Sequence, residues 1–201
     1  MKQILLTGFE PFQKESLNSS QELVQAFAGR KNLGTLILPV AYQKTGSVIR
    51  AEMAETDYDF ILMFGQAGGR KWIELERVAI NLEDSDKADE EGELRTQHKI
   101  SARGPDAFLN PLPLRDWTQY LQKKNHPVEI SFSAGAFVCN SLYYQVFEML
   151  KTNRSQVQAL FVHLPYLPEQ LPGKSEGTPS LPLTAMKAAV EDLLLLINEK
   201  I

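Results

Sequence analysis

Cysteine is almost missing from this sequence: Cys139 is the only one among 201 residues. A lone thiol cannot form an internal disulfide, so nothing in the sequence points to an oxidising compartment. Long apolar runs are missing as well, and the first run, at 4–6, is too short for a signal peptide or a membrane-spanning helix. We therefore expect a cytoplasmic protein with no membrane partner.

Excess positive charge and metal-ligand spacings are also lacking. The 21 Lys and Arg residues against 25 Asp and Glu residues give a formal net charge of −4, which argues against nucleic acid as the main partner. The histidines, the cysteine and the acidic residues show no spacing typical of a metal site. The glycine-rich turn at 65–69 lacks the ending of a phosphate loop and the spacing of a dinucleotide loop. We expect neither a metal nor another cofactor.

What the sequence does contain is a regular alternation of short apolar runs and helical patterns. The apolar runs predict strands at 4–7, 36–40, 60–64, 78–82, 128–132 and 157–163. Helical spacing predicts helices at 18–28, 45–55, 114–124, 139–151 and 185–197. This alternation is typical of a mostly parallel central sheet with helices on both faces, so the predicted fold class is α/β. We expect one domain over 1–201, with an exposed polar excursion at about 83–105.

Four segments with chemical potential lie at or just after the ends of predicted strands. They contain Phe9, Gln66, Cys139 and His163. In parallel sheets the ligand binds beyond the carboxyl ends of the strands. We therefore expect these segments to converge at one edge of the sheet.

Cys139 lies between a predicted strand and the start of a predicted helix. The positive end of a helix dipole favours the thiolate, which is the reactive form. A free cysteine is also often a small, inert core residue. Its position leaves both interpretations open, a nucleophile or a packed side chain.

His163 closes a predicted strand and is the best partner for such a thiol. A histidine can serve as a general base near neutral pH, although a structural role is equally compatible with a strand end. His98 lies in the polar excursion and His126 in a turn, so both fit less well.

A carboxylate could orient the His163 ring and stabilise its cation. Glu76 is one candidate, and Glu74 is too near in sequence to be excluded. On the residues alone, the simpler interpretation of Glu76 is a surface strand carboxylate paired with Arg77.

Five segments together resemble the pyroglutamyl peptidase I family, also called pyrrolidone carboxyl peptidases, which are cysteine exopeptidases. They are LTGFEPF at 6–12, GQAGGR at 65–70, ERVAIN at 76–81, AGAFVCN at 134–140 and VHLPYLPEQ at 162–170. The segments occur in the family's order and span nearly the whole chain. The resemblance implies a three-layer α/β/α sandwich, a homotetramer without a cofactor, and peptides with an N-terminal pyroglutamate as substrates.

The resemblance also implies roles for individual residues. Cys139 matches the nucleophile, His163 the base and Glu76 the acidic third member of a triad. Gln66 matches a residue whose main chain meets the lactam, and Asn18 matches a polar residue near it. The walls around the pyrrolidone ring would be Phe9, Phe12, Phe137 and Val138.

The chain departs from the family pattern in two loops. Gln13-Lys14 replaces the usual Gly-Gly, and Asn18-Ser19-Ser20 replaces Asn-Pro-Ser. Where the family typically has Ala-Arg-Ile-Pro-Asp, this chain has Ser85-Asp86-Lys87-Ala88-Asp89. Because 83–92 should form the pocket rim, we expect a looser, mobile rim and weaker substrate binding.

Three functions remain open at this point. The first is an exopeptidase that removes N-terminal pyroglutamate through a Cys-His-Glu triad and an acyl-enzyme. The second is a divergent member that binds or hydrolyses another small lactam or amide. The third is a non-catalytic homologue with a vestigial pocket. Retention of all three triad residues favours catalysis.

Overall fold

The computed structural model describes residues 1–153 and 155–200, and its core is a sheet flanked by helices. The strands are β1 (Ile4–Phe9), β2 (Leu33–Leu38), β3 (Phe60–Gln66), β4 (Ile73–Glu76), β5 (Val78–Ile80), β6 (Ala107–Leu109), β7 (Val128–Ser131) and β8 (Gln158–Leu164). The helices are α1 (Ser19–Gln25), α2 (Tyr42–Glu55), α3 (Leu114–Lys123), α4 (Val138–Thr152) and α5 (Leu183–Lys200), with a 3₁₀ turn at Pro168–Gln170.

Six strands form the central sheet in the order β2–β1–β3–β8–β4–β7, and β5 pairs with β6 in a separate antiparallel ribbon. Every neighbouring pair in the central sheet is parallel except β4 and β8. The predicted α/β class with a mostly parallel sheet is therefore confirmed.

The two faces of the sheet bury separate apolar clusters, because successive side chains of a strand point to opposite faces. In β1, Ile4 and Leu6 pack on one face with α1, α3 and α5. Leu5 points to the other face and packs with α2 and α4. The resulting layers are helix, sheet and helix, and α4 carries Cys139 on the face that it shares with α2.

The direction of β7 corrects one sequence-based expectation. Because β4 is antiparallel to β8 and parallel to β7, both β4 and β7 run against the other four strands. β1, β2, β3 and β8 therefore end at the expected edge of the sheet, whereas β7, the strand before Cys139, does not. Cys139 reaches that edge because the segment 132–137 leads back from the end of β7 to the start of α4.

Most predicted elements are present, with shifted ends. β2 begins at Leu33 rather than at residue 36, and α1 ends at Gln25 before a series of turns. The pattern missed β4 and β6 altogether. In β4 the apolar residues alternate with Glu74 and Glu76, and all four residues are buried.

The segment 83–105 is largely the exposed polar excursion that we predicted, apart from two buried residues. It contains no helix or extended strand, but Glu83 and His98 exchange backbone hydrogen bonds of 2.7 and 2.9 Å. Glu83 and Asp89 are buried, so the expectation of a solvated acidic run is wrong for these two. The carboxylate of Asp89 accepts the N–H groups of Tyr42, Glu91 and Glu93, which replace water as partners.

None of the helices in the described part of the chain has the length and apolar character needed to cross a bilayer.

Candidate active site

Cys139 is the second residue of α4, and its thiol lies against Gly65 in β3. A Cβ atom built on Gly65 would lie 2.9 Å from Cys139 Sγ, so only a glycine leaves room for the sulfur. Gly65 is paired with His163 of β8, and paired residues of neighbouring strands project from the same face of a sheet. The thiol of Cys139 and the ring of His163 therefore lie on the same face at the same level.

His163 and Glu76 form a buried pair on this face. His163 Nδ1 lies 2.6 Å from Glu76 Oε1, and the two residues are 3% and 0% exposed. Glu76 comes from β4 and His163 from β8, so the antiparallel contact of these strands brings the pair together. With Nδ1 engaged by the carboxylate, Nε2 is the ring nitrogen left for proton transfer.

The electrostatic environment favours a neutral histidine beside an ionised carboxylate. Burial lowers the pKa of His163 below its ordinary value, despite the opposing effect of Glu76. Burial alone would raise the pKa of Glu76, but hydrogen bonds and charge from His163, with help from Ser131 and Arg70, hold it below the usual range. The resting pair is therefore imidazole and carboxylate.

Burial raises the pKa of the Cys139 thiol to about 12, and the charge of Glu76 acts in the same direction. Cys139 is half-buried, yet protein atoms surround its sulfur closely enough to disfavour a charge. The helix dipole favours the thiolate, but burial and the nearby carboxylate outweigh it here.

Arg70 joins the two glutamates of β4 to the end of β7. Its guanidinium pairs with Glu74 and, at 2.9 Å, with Glu76 Oε1. It also donates to Ser131 Oγ at 3.3 Å and to the carbonyl of Ser133 at 2.9 Å. Arg70 therefore fixes the carboxylate that holds His163.

These contacts decide between the alternatives that the sequence left open. Glu76, not Glu74, contacts His163, although Glu74 is the register partner of His163 in the sheet. The interpretation of Glu76 as a surface carboxylate paired with Arg77 is wrong. Arg77 donates to two backbone carbonyls of the segment 110–112 instead.

The four apolar residues that the family resemblance assigns to the pocket walls come from two places in the fold. Phe9 ends β1 and is 2% exposed, and Phe12 follows in the next loop, partly buried. Phe137 and Val138 immediately precede Cys139, and Val138 is buried. All four belong to the cluster on the face that carries the thiol.

Asn18 and Gln66 are buried, and their side chains bond mainly to the protein itself. Asn18 caps α1 by accepting from Ser20 N at 2.9 Å, and it donates to the carbonyl of Glu10 at 2.9 Å. Gln66 Oε1 accepts from the backbone N–H of Ser19 at 2.9 Å and from Gln170 Nε2 at 2.8 Å. Both side chains therefore fix the loop that carries the two aromatics.

The sequence-based reasoning assigned no role to Arg70 or Gln170. Both lie within the segments that carry the family resemblance, and the arrangement of Arg70 before two alternating glutamates was a usable signal. The sequence held no comparable signal for Gln170, because its contact with Gln66 joins positions 104 residues apart. Among the described residues, no group of three or more histidines, cysteines and acidic residues is arranged to hold a metal ion.

Comparisons with known proteins agree on one family. A family model described as pyroglutamyl peptidase matches residues 2–198. The pyrrolidone-carboxylate peptidase of Bacillus cereus (strain Q1) is 36% identical over 195 residues, which cover 95% of this chain and 90% of that protein.

Two solved structures have the same fold over nearly their whole length. The pyrrolidone carboxyl peptidase of Fervidobacterium islandicum AW-1 superposes with a TM-score of 0.93 at 39% identity, covering 98% of each chain. Pyroglutamyl peptidase I of Bacillus amyloliquefaciens gives a TM-score of 0.91 at 36% identity, covering 96% of this chain and 94% of the other.

Proposed function

This chain belongs to the pyroglutamyl peptidase family of cysteine-type hydrolases, as its resemblance predicted, and we propose that it removes N-terminal pyroglutamate from peptides by way of an acyl-enzyme. In this proposal Cys139 is the nucleophile, His163 the general base and acid, and Glu76 the group that orients His163. One observation carries the assignment: the buried contact of 2.6 Å between His163 and Glu76, on the sheet face where the Cys139 thiol lies against Gly65.

Acylation begins when Cys139 Sγ attacks the pyroglutamyl carbonyl carbon. The thiol proton passes to His163 Nε2, so attack and deprotonation occur together and a resting thiolate is not needed. When the tetrahedral intermediate collapses, His163 gives this proton to the leaving amine. The thioester is then hydrolysed by a water molecule that His163 deprotonates, which releases pyroglutamate and restores the thiol.

Glu76 has two tasks in this sequence. It holds Nδ1 of His163, so that Nε2 is the basic nitrogen in the resting state. It also stabilises the imidazolium that forms on attack, as the carboxylate of a catalytic triad does.

The start of α4 supplies donors for the oxyanion. The first N–H groups of a helix have no partner within the helix. Phe137 occupies the N-cap position of α4 and makes no side-chain capping hydrogen bond. The free N–H groups around Cys139 can therefore stabilise negative charge on the carbonyl oxygen.

The pocket suits a small, flat, uncharged ring. The walls are Phe9, Phe12, Phe137 and Val138, which would cover the methylene groups. Since the side chain of Gln66 is engaged, main-chain groups near Gln66 would bond to the lactam, and Asn18 would act by fixing the loop. A free amino-terminus would bring an unpaired charge into this pocket, which is costly.

The test compares two arylamide substrates that share a five-membered ring. Pyroglutamyl-arylamide carries a neutral lactam, whereas prolyl-arylamide carries a charged amine. We expect the arylamine to be released from pyroglutamyl-arylamide but not from prolyl-arylamide. The Cys139→Ser variant should release it from neither. No release from pyroglutamyl-arylamide would refute the proposal. If another lactam then bound and protected Cys139 from an alkylating reagent, the chain would be the divergent family member.

We further propose that the chain is a cytoplasmic homotetramer, as the resemblance implies. Sedimentation equilibrium should give about four times the chain mass of 22.6 kDa. A monomeric mass at micromolar concentration would contradict the tetramer.

A further inference from the structure

Glu83 is a buried carboxylate that the proposed chemistry does not use. It is 1% exposed, and both of its oxygens are engaged. Oε1 accepts from the hydroxyl of Ser141, while Oε2 pairs with Arg95 and lies 2.9 Å from His98 Nδ1. A buried carboxylate with so many partners fixes the groups around it, because removal of any one partner leaves a buried charge unsatisfied.

Arg95 connects this carboxylate to an aromatic ring. Its side chain is 15% exposed and donates through Nε to Glu93 Oε1 at 2.8 Å. The guanidinium carbon lies 4.8 Å from the centre of the Tyr42 ring. Arginine stacks favourably on an aromatic face, and the contact is stronger where water is excluded.

Tyr42 in turn contacts a residue matched to the pocket wall. Its ring is 2% exposed and meets Phe137 edge to face, with 5.5 Å between the ring centres and 80° between the planes. The backbone N–H of Tyr42 donates to Asp89 at 2.9 Å. Tyr42 thus contacts both Arg95 and Phe137.

The same carboxylate also contacts the first turn of the helix that carries Cys139. Ser141, two residues after Cys139, donates its hydroxyl to Glu83. The backbone N–H of Asp84 donates to the carbonyl of Ala136 at 3.0 Å, just before Phe137. The segment 83–95 therefore supports the 136–141 region from both ends.

We propose that Arg95, paired with Glu83, is a positioning residue that holds Phe137 through Tyr42 and thereby sets how tightly the pocket encloses the pyroglutamyl ring. Only the identity of the ring rests on the proposed function. Arg95 does not contact the reacting atoms, so its loss should affect ring binding rather than bond cleavage.

The test uses two substitutions and one matched control. Arg95→Met keeps the length of the side chain but removes its charge. Arg95→Lys keeps the ion pair with Glu83 but loses the planar stack on Tyr42. Arg30→Met is the control, because Arg30 also pairs with a carboxylate, at 2.9 Å, and lies 4.6 Å from the centre of the Phe27 ring, on the opposite face of the sheet.

We expect KM for pyroglutamyl-arylamide to rise about tenfold in Arg95→Met, with kcat within about twofold, because the contact with the Tyr42 ring and the ion pair with Glu83 are both lost. Arg95→Lys should show a smaller rise. The preference for pyroglutamyl over its six-membered lactam homologue should fall in both variants, since a looser wall admits the extra methylene. Arg30→Met should change none of these quantities.

Three outcomes would overturn the proposal: an unchanged KM in both Arg95 variants, an unchanged preference for ring size, or an equal effect of Arg30→Met. If Arg95→Met fails to fold, Arg95→Lys decides. If the wild-type chain cleaves no pyroglutamyl substrate, the proposed function fails, and the crystal structure of Arg95→Lys becomes the test. If the Phe137 ring keeps its position and its angle to Tyr42 in that crystal structure, the positioning role of Arg95 is refuted without any activity measurement.

Discussion

Replacement of Gly65 by alanine is the sharpest test of where the thiol lies. The new methyl group would lie 2.9 Å from Cys139 Sγ and 2.9 Å from Phe161 Cζ. Non-bonded heavy atoms prefer separations of about 3.5–4.0 Å, so each of these two contacts is too short by roughly 0.6–1.1 Å.

The aromatic neighbour is the less able of the two to move. Phe161 is fully buried, with its ring centre 4.9 Å from that of His163 and 5.7 Å from that of Tyr143. Cys139 is half-buried and has a single side-chain torsion, so its sulfur should yield. A displacement of about 1 Å in a reacting atom can lower the rate about 100-fold.

We therefore expect Gly65→Ala to lower kcat/KM for pyroglutamyl-arylamide about 100-fold, and to lower the free energy of unfolding by about 1–3 kcal/mol through overpacking. Gly34→Ala is the matched control, since its methyl group would lie 2.3 Å from the Tyr58 hydroxyl, in β2 and away from Cys139. The control should lose stability but keep its activity. Normal activity in folded Gly65→Ala would show that the sulfur does not lie where the structure places it, and an equal loss in Gly34→Ala would show that the effect does not depend on contact with the sulfur.

Three further predictions concern the proposed triad. Cys139→Ser should lower kcat roughly 10⁴-fold or more with an unchanged circular dichroism spectrum, and a comparable rate would exclude Cys139 as the nucleophile. Glu76→Gln should lower kcat by about 10²–10⁴-fold in steady-state assays, because His163 loses its orienting anion; a loss below about tenfold would contradict that role. The free energy of unfolding should fall on acidification below about pH 6.5 in denaturant titrations, because the lowered pKa values of Glu76 and His163 make the native state bind fewer protons than the unfolded chain. A stability that does not change with pH there would contradict both shifts.

The layered fold could be predicted from the sequence because its signals are local. A short apolar run or a helical repeat is visible within one segment, and the alternation of such segments already implies an α/β sheet. Strand order and direction depend on contacts between distant segments. That is why we could not predict the reversed direction of β7. Nor could we predict that 132–137 leads back to the edge of the sheet where β3 and β8 end.

The buried acidic residues were misjudged for a different reason. A pattern-based analysis treats a carboxylate as a surface group unless its partner is also known. Glu76 is buried with Arg70 and His163 both on its Oε1, and Glu83 is buried with Arg95 and Ser141 as partners. Arg95 and Ser141 lie 12 and 58 residues from Glu83, so neither partnership was readable from spacing.

The negative charge of the site adds to the effect of burial on the pKa of Cys139 and opposes the effect of burial on the pKa of His163. Glu74 and Glu76 supply two carboxylates next to a single guanidinium, that of Arg70, so the cluster holds an excess of negative charge while His163 is neutral. This excess disfavours a thiolate at Cys139 before the substrate arrives, in keeping with its raised pKa. It also favours the imidazolium of His163, because the added proton cancels the excess. In the proposed mechanism the thiol would therefore lose its proton only as sulfur attacks carbon, and the surrounding carboxylates would stabilise the imidazolium formed at that moment.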